Sequence, residues 1–145
     1  MFVVDTNVLL YAAESSFPDH EDCRRRLERW RATEAAWFVT WSIIYEFLRV
    51  STHPRVFAKP WSIHAAFDFV EAVLAAPGLE LLGETDRHAA VAREVLRDVP
   101  GLRGRVVHDT HTAVLMREHG VSRICTRDTD FRRFPFLEVI DPLAT

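Results

Sequence analysis

Short apolar runs alternate with longer helical patterns along the chain, and this alternation constrains the fold more than any other feature. The chain opens on the apolar run Met1-Phe2-Val3-Val4, and further short apolar runs occur over 37–39, 79–82, 122–126 and 137–140. Strands that alternate with helices pair in parallel through right-handed crossovers. The sequence therefore predicts an α/β fold in which a central parallel β-sheet of four to five strands is flanked by helices.

Helical spacing and helix-ending residues predict the segments between these strands. Apolar residues recur at helical spacing, and proline or glycine often follows them. We expect helices over 7–14, 20–31, 42–53, 62–76, 86–98 and 105–119. Ser42 is predicted to cap the third of them, and Gly120 to end the last. The predicted apolar faces of the fourth and fifth helices are Phe67, Val70, Leu74 and Ala89, Ala92, Val95, Leu96.

Length and composition indicate a folded globular chain. Its 145 residues, 48% hydrophobic and 27% charged, match a single domain over 1–145 with a sizeable core. No apolar run approaches the length of a membrane span, and the aspartate at position 5 argues against a signal peptide. We therefore expect a cytoplasmic protein that does not bind membranes.

Cysteine and charge content exclude some classes of site. Two cysteines, Cys23 and Cys125, make neither a disulfide framework nor a zinc cluster, and we expect both to act as small apolar residues. The histidines show no ligand spacing with the cysteines, which argues against zinc. The net charge of −3 argues against nucleic-acid binding by bulk electrostatics, although 17 of the 18 basic residues are arginine, whose planar fork suits phosphate.

Four carboxylates stand where such a sheet would bring them to one edge. Asp5 follows the first strand, Asp128 follows the fourth, and Glu46 and Asp109 lie among apolar residues of predicted helices. Ligand sites of parallel sheets lie beyond the carboxyl ends of the strands, near the point where strand order reverses. We expect the first and fourth strands at the centre of the sheet, and the acids together beside them.

Each acid also has a simpler interpretation. Asp5 could cap the first helix, and Glu46 could lie at the border of its apolar stripe and extend to solvent. Asp109 could be solvated, and Asp128 could serve ordinary turn chemistry. The convergence of four separate acids on one sheet edge is what favours a functional site.

A cluster of carboxylates is costly unless cations neutralise it. Hard cations such as Mg²⁺ or Mn²⁺ prefer oxygen ligands, and a pair of them about 4 Å apart can activate water and stabilise the leaving oxygen of a phosphodiester. The acids therefore indicate a metal-dependent nuclease.

The motifs around these acids resemble those of a known family. Val4-Asp5-Thr6-Asn7-Val8-Leu9, Glu46, the helix with Asp109, and Thr126-Arg127-Asp128-Thr129-Asp130-Phe131 resemble PIN-domain ribonucleases, most closely the VapC toxins of bacterial toxin–antitoxin pairs. The resemblance covers essentially the whole chain, and it implies a single PIN-like domain.

The resemblance also implies roles for residues and partners. Asp5, Glu46, Asp109 and Asp128 would form the metal-binding catalytic site, with Asp5 and Asp109 as the foremost direct ligands of Mg²⁺ or Mn²⁺. Asp130, Thr6, Asn7 and Thr126 would support that site by holding waters or orienting carboxylates. RNA would be the substrate, a VapB-type antitoxin would occupy the groove, and the protein would be a homodimer.

Basic and aromatic residues suggest surfaces for these partners. Arg103, Arg105 and Arg127 flank the acids and could contact RNA phosphates, or they could be ordinary surface arginines. Ten of the 16 aromatic residues lie between Trp30 and Phe69. We expect them to form core, with a groove of Trp30, Trp41, Trp61 and nearby aromatic residues for an antitoxin helix as the minority interpretation.

Three other functions compete with the toxin. A PIN-fold RNA-processing nuclease without an antitoxin would use the same acids, and a catalytically inactive nucleic-acid-binding module would use the same fold. A phosphoacceptor receiver domain also has acids at strand ends, but it needs a lysine near the last strand. The only lysine here is Lys59, in mid-chain.

Overall fold

Five short parallel strands form the central sheet, as described by a computed structural model for residues 1–144. The strands are β1 Val3–Val4, β2 Trp37–Val39, β3 Leu79–Leu81, β4 Arg123–Cys125 and β5 Glu138–Ile140. Their spatial order is β3-β2-β1-β4-β5, and every neighbouring pair is parallel. The predicted α/β class and parallel sheet are thus confirmed, and β1 is the central strand.

Six α-helices connect these strands. They are α1 Thr6–Ala13, α2 His20–Arg31, α3 Trp41–Ser51, α4 Ile63–Leu74, α5 His88–Asp98 and α6 Val106–His119, and a 3₁₀-helix spans Thr129–Arg133. Helix α1 packs against α2 and α3, α3 packs against α4, and α5 pairs with α6. Since the chain moves outward from β1 to β3 and then returns across the sheet to β4, right-handed crossovers place these two groups on opposite faces.

Strand order reverses between β1 and β4, which defines where a site can form. From β1 the chain proceeds to β2 and β3 on one side, whereas β4 and β5 lie on the other. Val3 pairs with Ile124 and Val4 with Cys125, so the residues that follow the two strands emerge side by side. A crevice opens at such a reversal in parallel sheets, beyond the carboxyl ends of the strands.

The cap of α3 differs from the prediction. Thr40, not Ser42, is the N-cap, and its hydroxyl accepts a hydrogen bond of 3.1 Å from the backbone N of Ile43. Strand β2 ends at Val39, so the next residue with an extended backbone and a side-chain oxygen takes the cap position. The Ser42 hydroxyl instead bonds to Nδ1 of His111, at 2.9 Å.

Two predicted apolar faces are rotated in the structure. Helix α4 buries Ala66, Val70 and Val73, whereas Phe67 is exposed. Helix α5 buries Val91 and Val95, whereas Leu96 is 56% exposed. Both helices carry more apolar residues than one face can hold, so tertiary packing selects which stripe is buried.

Buried cysteines and aromatic rings contribute to the core. Cys23 and Cys125 are both free and buried, as predicted. Trp30 packs against Phe2 and Trp37, with ring centroids 5.1 and 5.9 Å away. Trp61 packs in a second cluster with rings that include Phe47, Phe57 and Phe69, and Trp41 is exposed beside Tyr45. The three tryptophans of the minority interpretation therefore have different ring neighbours, and the groove for an antitoxin helix stays a prediction.

Within residues 1–144, no helix is both long enough and apolar enough to cross a bilayer.

Candidate active site: an acidic cleft at the carboxyl end of the sheet

Asp5 occupies the single position between β1 and α1. Its Oδ1 accepts a hydrogen bond of 2.8 Å from the backbone N of Thr6, which caps α1. The residue is only 8% exposed, and it lines the cleft that opens beyond the strand. The capping interpretation and the functional placement therefore both apply to this one carboxylate.

Thr126 and Asn7 hold the other oxygen of Asp5. Thr126 follows β4, and strand register places it beside Asp5, where its hydroxyl donates to Oδ2 at 2.7 Å. Asn7 Nδ2 donates to the same Oδ2 at 2.9 Å and to the Thr126 hydroxyl at 2.8 Å. The predicted supporting residues Asn7 and Thr126 thus lie in direct contact with Asp5. The Thr6 hydroxyl instead donates to the carbonyl of Ile43 at 3.3 Å, and so ties α1 to α3.

The turn after β4 sets the position of Asp128. Its backbone N donates to the Thr126 hydroxyl at 2.9 Å. Its Oδ1 accepts from the backbone N of Asp130 at 2.9 Å, which caps the 3₁₀-helix. Asp128 therefore both caps the turn and lies at the edge of the sheet where the functional site was predicted.

Three carboxylates come closest together in this region. Asp109, Asp128 and Asp130 each offer one oxygen, and these oxygens lie within 4.8 Å of one another. Asp109 lies in the first turn of α6, and all three residues are half-buried. Asp130 is thus a member of the tightest cluster, although the sequence suggested only a supporting role. The i, i+2 spacing of Asp128 and Asp130 was the available signal.

The structure decides between the two interpretations of Glu46, whose side chain does not lie on a buried face. Its neighbours on α3, Ile43 and Phe47, are buried, whereas its own side chain is 50% exposed and lies 3.6 Å from the guanidinium of Arg49. The border interpretation is therefore the correct one. A glutamate at the edge of the stripe can extend past its apolar neighbours, so burial of its charge is avoided.

Glu46 nevertheless faces the same cleft as Asp5 and Asp109. The cleft has a volume of about 480 Å³, within the range of small-ligand sites. Its other lining residues are Ser42, Ile43, Tyr45, Arg49, His108 and Thr112. Asp109 is the residue shared by this cleft and the cluster with Asp128 and Asp130, and it joins all five acids into one site.

Negative charge in this site is poorly compensated. Burial raises the pKa of Asp5 to about 6, although hydrogen bonds from Thr126 and Thr6 oppose the shift. Burial, followed by the nearby carboxylates of Asp128 and Asp5, raises the pKa of Asp109 to about 7. Carboxylates whose ionised forms are disfavoured in this way gain from a bound cation. The donors are all oxygens, the ligand type that hard divalent ions prefer.

The predicted RNA-binding arginines lie in different environments. Arg103 and Arg105 are exposed in the segment before α6, and neither forms an ion pair with another residue of 1–144. Arg127 is held by Asp141 at 2.8 Å and lies 3.8 Å from Asp19. Arg49, which the sequence reasoning missed, lines the cleft itself. Its position three residues after Glu46 on one helix was the signal.

Comparison with known proteins places this geometry among related chains. A family model described as PIN domain matches residues 2–137. Ribonuclease VapC48 of Mycobacterium tuberculosis is 31% identical over 140 residues, which cover 97% of this chain and 96% of the relative. Ribonuclease VapC43 of the same species is 34% identical over 99% of this chain and 96% of the relative.

Solved structures share the fold at lower sequence identity. A chain of the VapBC2 complex of Rickettsia felis, bound to a DNA fragment from its promoter, superimposes with a TM-score of 0.67 and 15% identity, and the match covers 96% of each chain. VapC20 of Mycobacterium tuberculosis, a toxin that cleaves the sarcin–ricin loop, gives a TM-score of 0.62 at 15% identity over 91% of this chain and 93% of the other. At this identity the likeness establishes the arrangement of strands and helices.

Proposed function

The chain belongs to the PIN-domain family, and from that premise we propose that it is a metal-dependent endoribonuclease, the toxin of a toxin–antitoxin pair. The observation that carries this proposal is the convergence of five acids on one cleft edge, with Asp109 shared by both parts of the site. Relatives at 31–34% identity are named VapC ribonucleases, which supports RNA as the substrate. On this proposal, residues 1–145 form a single PIN domain.

Asp5, Glu46, Asp109 and Asp128 are the proposed ligands of Mg²⁺ or Mn²⁺, and Asp130 is a supporting acid. When bound, such an ion supplies activation of water and stabilisation of charge on the phosphodiester oxygens. Thr126 and Asn7 hold Asp5 in one orientation, so its carboxylate needs little rearrangement to bind a cation. The raised pKa values of Asp5 and Asp109 imply that cation binding also releases protons near neutral pH.

We propose that RNA crosses the cleft between Arg49 and the pair Arg103 and Arg105. Arg49 lines the cleft on α3, and Arg103 and Arg105 precede Asp109. Phosphate contacts to these side chains would offset the repulsion between the substrate and the acids. Arg127 already pairs with Asp141, so we expect its contribution to be smaller than that of Arg105.

Substitution of single arginines tests this path. RNA binding should be lost in Arg105→Ala but kept in Arg93→Ala, which changes an exposed arginine on α5.

We further propose a VapB-type antitoxin and a second copy of the chain as partners, and a cytoplasmic site of action where RNA is available. The support for the antitoxin is the likeness to a chain of a VapBC complex, together with relatives named as VapC proteins, whereas the second copy and the cytoplasmic site rest on the family resemblance alone. A processing nuclease without an antitoxin would share the acidic site. Co-purification of the chain with the product of a neighbouring gene, and relief of inhibition on its removal, would distinguish the two.

The test of the enzymatic proposal is cleavage of a mixed RNA pool by the purified chain with Mg²⁺, Mn²⁺ or EDTA. We expect cutting with either metal, none with EDTA, and at least a hundredfold loss in Asp5→Asn. Asp68→Asn, on the exposed side of α4, is the matched control and should cut normally. Absence of cutting by folded chain on tRNA and rRNA, in both metals, would favour the inactive binding module.

A further inference from the structure

A second group of metal-ligating side chains lies outside the acidic cleft. Glu84 is in the loop after β3, His88 is the first residue of α5, and His111 is in the second turn of α6. Each offers one ligand atom, and these atoms lie within 4.8 Å of one another. The two imidazole rings are 5.7 Å apart between centroids and nearly perpendicular, at 83°. The packing of α5 on α6 creates this group, since its members are far apart in sequence.

A buried carboxylate orients His88. Nδ1 of His88 lies 2.7 Å from Oε2 of Glu118, whose side chain is completely buried. The other oxygen of Glu118 accepts from the backbone N of Thr85 at 2.7 Å and from the Thr85 hydroxyl. Burial alone would raise the pKa of Glu118, but the hydrogen bonds from Thr85 and His88 outweigh it and hold the pKa below its usual range. An ionised carboxylate on Nδ1 leaves Nε2 of His88 as the nitrogen with a free lone pair.

His111 is held in a comparable way. Its Nδ1 lies 2.9 Å from the Ser42 hydroxyl, and its Nε2 lies 2.8 Å from Oε1 of Glu84. Ser42 occupies one ring nitrogen, so Nε2 is the nitrogen that points at Glu84. Each histidine therefore has one nitrogen engaged by a partner outside the group, Glu118 for His88 and Ser42 for His111, and the second nitrogen of His111 contacts Glu84.

The loop that carries Glu84 is fastened to α6 on both sides. Nε2 of His119 lies 2.6 Å from the carbonyl of Gly83, and Thr85 bonds to Glu118. The backbone around Glu84 is therefore anchored, whereas its own side chain is 56% exposed and can adjust. Small rotations of this side chain can bring an oxygen to the distance of about 2.0–2.2 Å that zinc requires.

We propose that Glu84, His88 and His111 form a zinc site, separate from the acidic cleft, although the spacing of histidines and cysteines in the sequence argues against zinc. Two imidazoles and one carboxylate favour a borderline ion such as Zn²⁺ over Mg²⁺, which prefers oxygen ligands alone. Three protein ligands leave a fourth position for water, and the buried Glu118 is the carboxylate partner that zinc-bound histidines generally have. The ion would fasten the start of α5 to α6, next to Ser42 at the rim of the cleft.

The test is direct titration of the purified chain with Zn²⁺ in the presence of excess Mg²⁺, read by competition with a chromophoric chelator. Co²⁺ in place of Zn²⁺ reports four-coordinate nitrogen and oxygen ligation through its visible absorption. We expect one ion per chain, with at least tenfold weaker binding in Glu84→Gln and His111→Gln. His64→Gln, an exposed histidine on α4, and Asp128→Asn should retain it.

Two results would overturn the zinc site. One is unchanged Zn²⁺ affinity in both Glu84→Gln and His111→Gln. The other is loss of the ion in Asp128→Asn alone, which would assign the zinc to the acidic cleft. Glu84 is exposed, so its substitution reports on ligation even where a histidine variant is destabilised. The experiment measures Zn²⁺ binding and not RNA cleavage. Absence of the zinc site would therefore not count against the proposed ribonuclease activity.

Discussion

Asp109 is the carboxylate of the acidic site whose ionised form is most strongly disfavoured by burial and by neighbouring acids. It belongs both to the cleft with Asp5 and Glu46 and to the cluster with Asp128 and Asp130. Within residues 1–144, ion pairs reach only the outer acids, where Arg49 lies 3.6 Å from Glu46 and Arg133 lies 3.9 Å from Asp130. Among residues 1–144 no cation pairs with Asp109, whose pKa is raised to about 7.

Asp109→Asn should stabilise the metal-free protein at alkaline pH. The pKa of Asp109 in the folded chain, about 7, exceeds its ordinary value of 3.8. Between these values the folded chain holds more protons than the unfolded chain, so the free energy of unfolding falls as pH rises from about 4 to 7. Removal of the charge should recover about 1–2 kcal/mol at pH 8, a figure reduced for partial exposure.

Urea unfolding in EDTA at pH 5 and pH 8 measures this gain. In Asp109→Asn the free energy of unfolding should depend less on pH than in the wild type. In Asp68→Asn, on α4, it should depend on pH as in the wild type. Identical curves for the wild type and Asp109→Asn at both pH values would mean that the carboxylate is solvated.

Thr126→Val should impair both stability and pH response. The substitution keeps the side-chain shape but removes the donor to Asp5 and the acceptor used by Asn7 and by Asp128 N. Buried polar groups left unpaired cost about 1–3 kcal/mol. Because the hydroxyl lowers the pKa of Asp5, its loss should move the acid limb of the cleavage–pH profile to higher pH. Thr126→Ser should restore the profile, and coincident profiles for Val and wild type would contradict the role of the hydroxyl.

At the level of elements, close backbone approach fixes the edge of the sheet beside β2. Trp37 N donates to the carbonyl of Gly78 at 3.0 Å, where β3 begins. A Cβ at position 78 would lie 2.3 Å from the carbonyl oxygen of Ala35 and 2.9 Å from that of Thr33. Backbone atoms cannot move aside as a flexible side chain can, so only glycine fits between these two segments.

Gly78→Ala should therefore destabilise the fold by about 1–3 kcal/mol, through displacement of β3 from β2. Gly83→Ala is the matched control, because a Cβ there meets no atom within 4 Å. Thermal unfolding of the two variants measures the difference. Equal melting temperatures would show that the loop before β2 can move to make room for the Cβ without loss of stability.

Across the whole molecule, the fold gathers like charges that its own cations do not balance. The acids come from β1, α3, α6 and the turn after β4, and the reversal of strand order brings them together. Such an arrangement is stable only to the extent that packing elsewhere offsets the repulsion, and a bound cation relieves it.

Mg²⁺ or Mn²⁺ should therefore raise the melting temperature at neutral pH. At tenfold excess over Kd, binding adds about 1.4 kcal/mol, which corresponds to about 3–6 °C for a chain of this size. Calorimetry measures this rise in melting temperature. It should be smaller in Asp128→Asn than in the wild type, and equal to that of the wild type in Asp68→Asn. A melting curve that is unchanged by millimolar metal would count heavily against the site.

Local patterns were sufficient for much of the fold and for part of the site. Helix α2 has the predicted bounds, and α6 ends at His119 with Gly120 as its C-cap, whose φ of 71° suits glycine. Asp5 was identifiable because it directly follows an apolar strand, and Asp128 because it lies in the turn three residues after the end of another. Ser42 and Leu96 were misplaced because capping and stripe patterns allow more than one register, and packing chooses among them.

By itself, the sequence determined the order of strands and helices and the acids that come after two neighbouring strands, because these depend on short-range periodicity and on residue type. Only the tertiary structure decided that Glu46 faces solvent, that Asp130 joins Asp109, and that His88 meets His111. These outcomes depend on the rotation of helices about their axes and on contacts between distant segments, which periodicity along one chain does not specify.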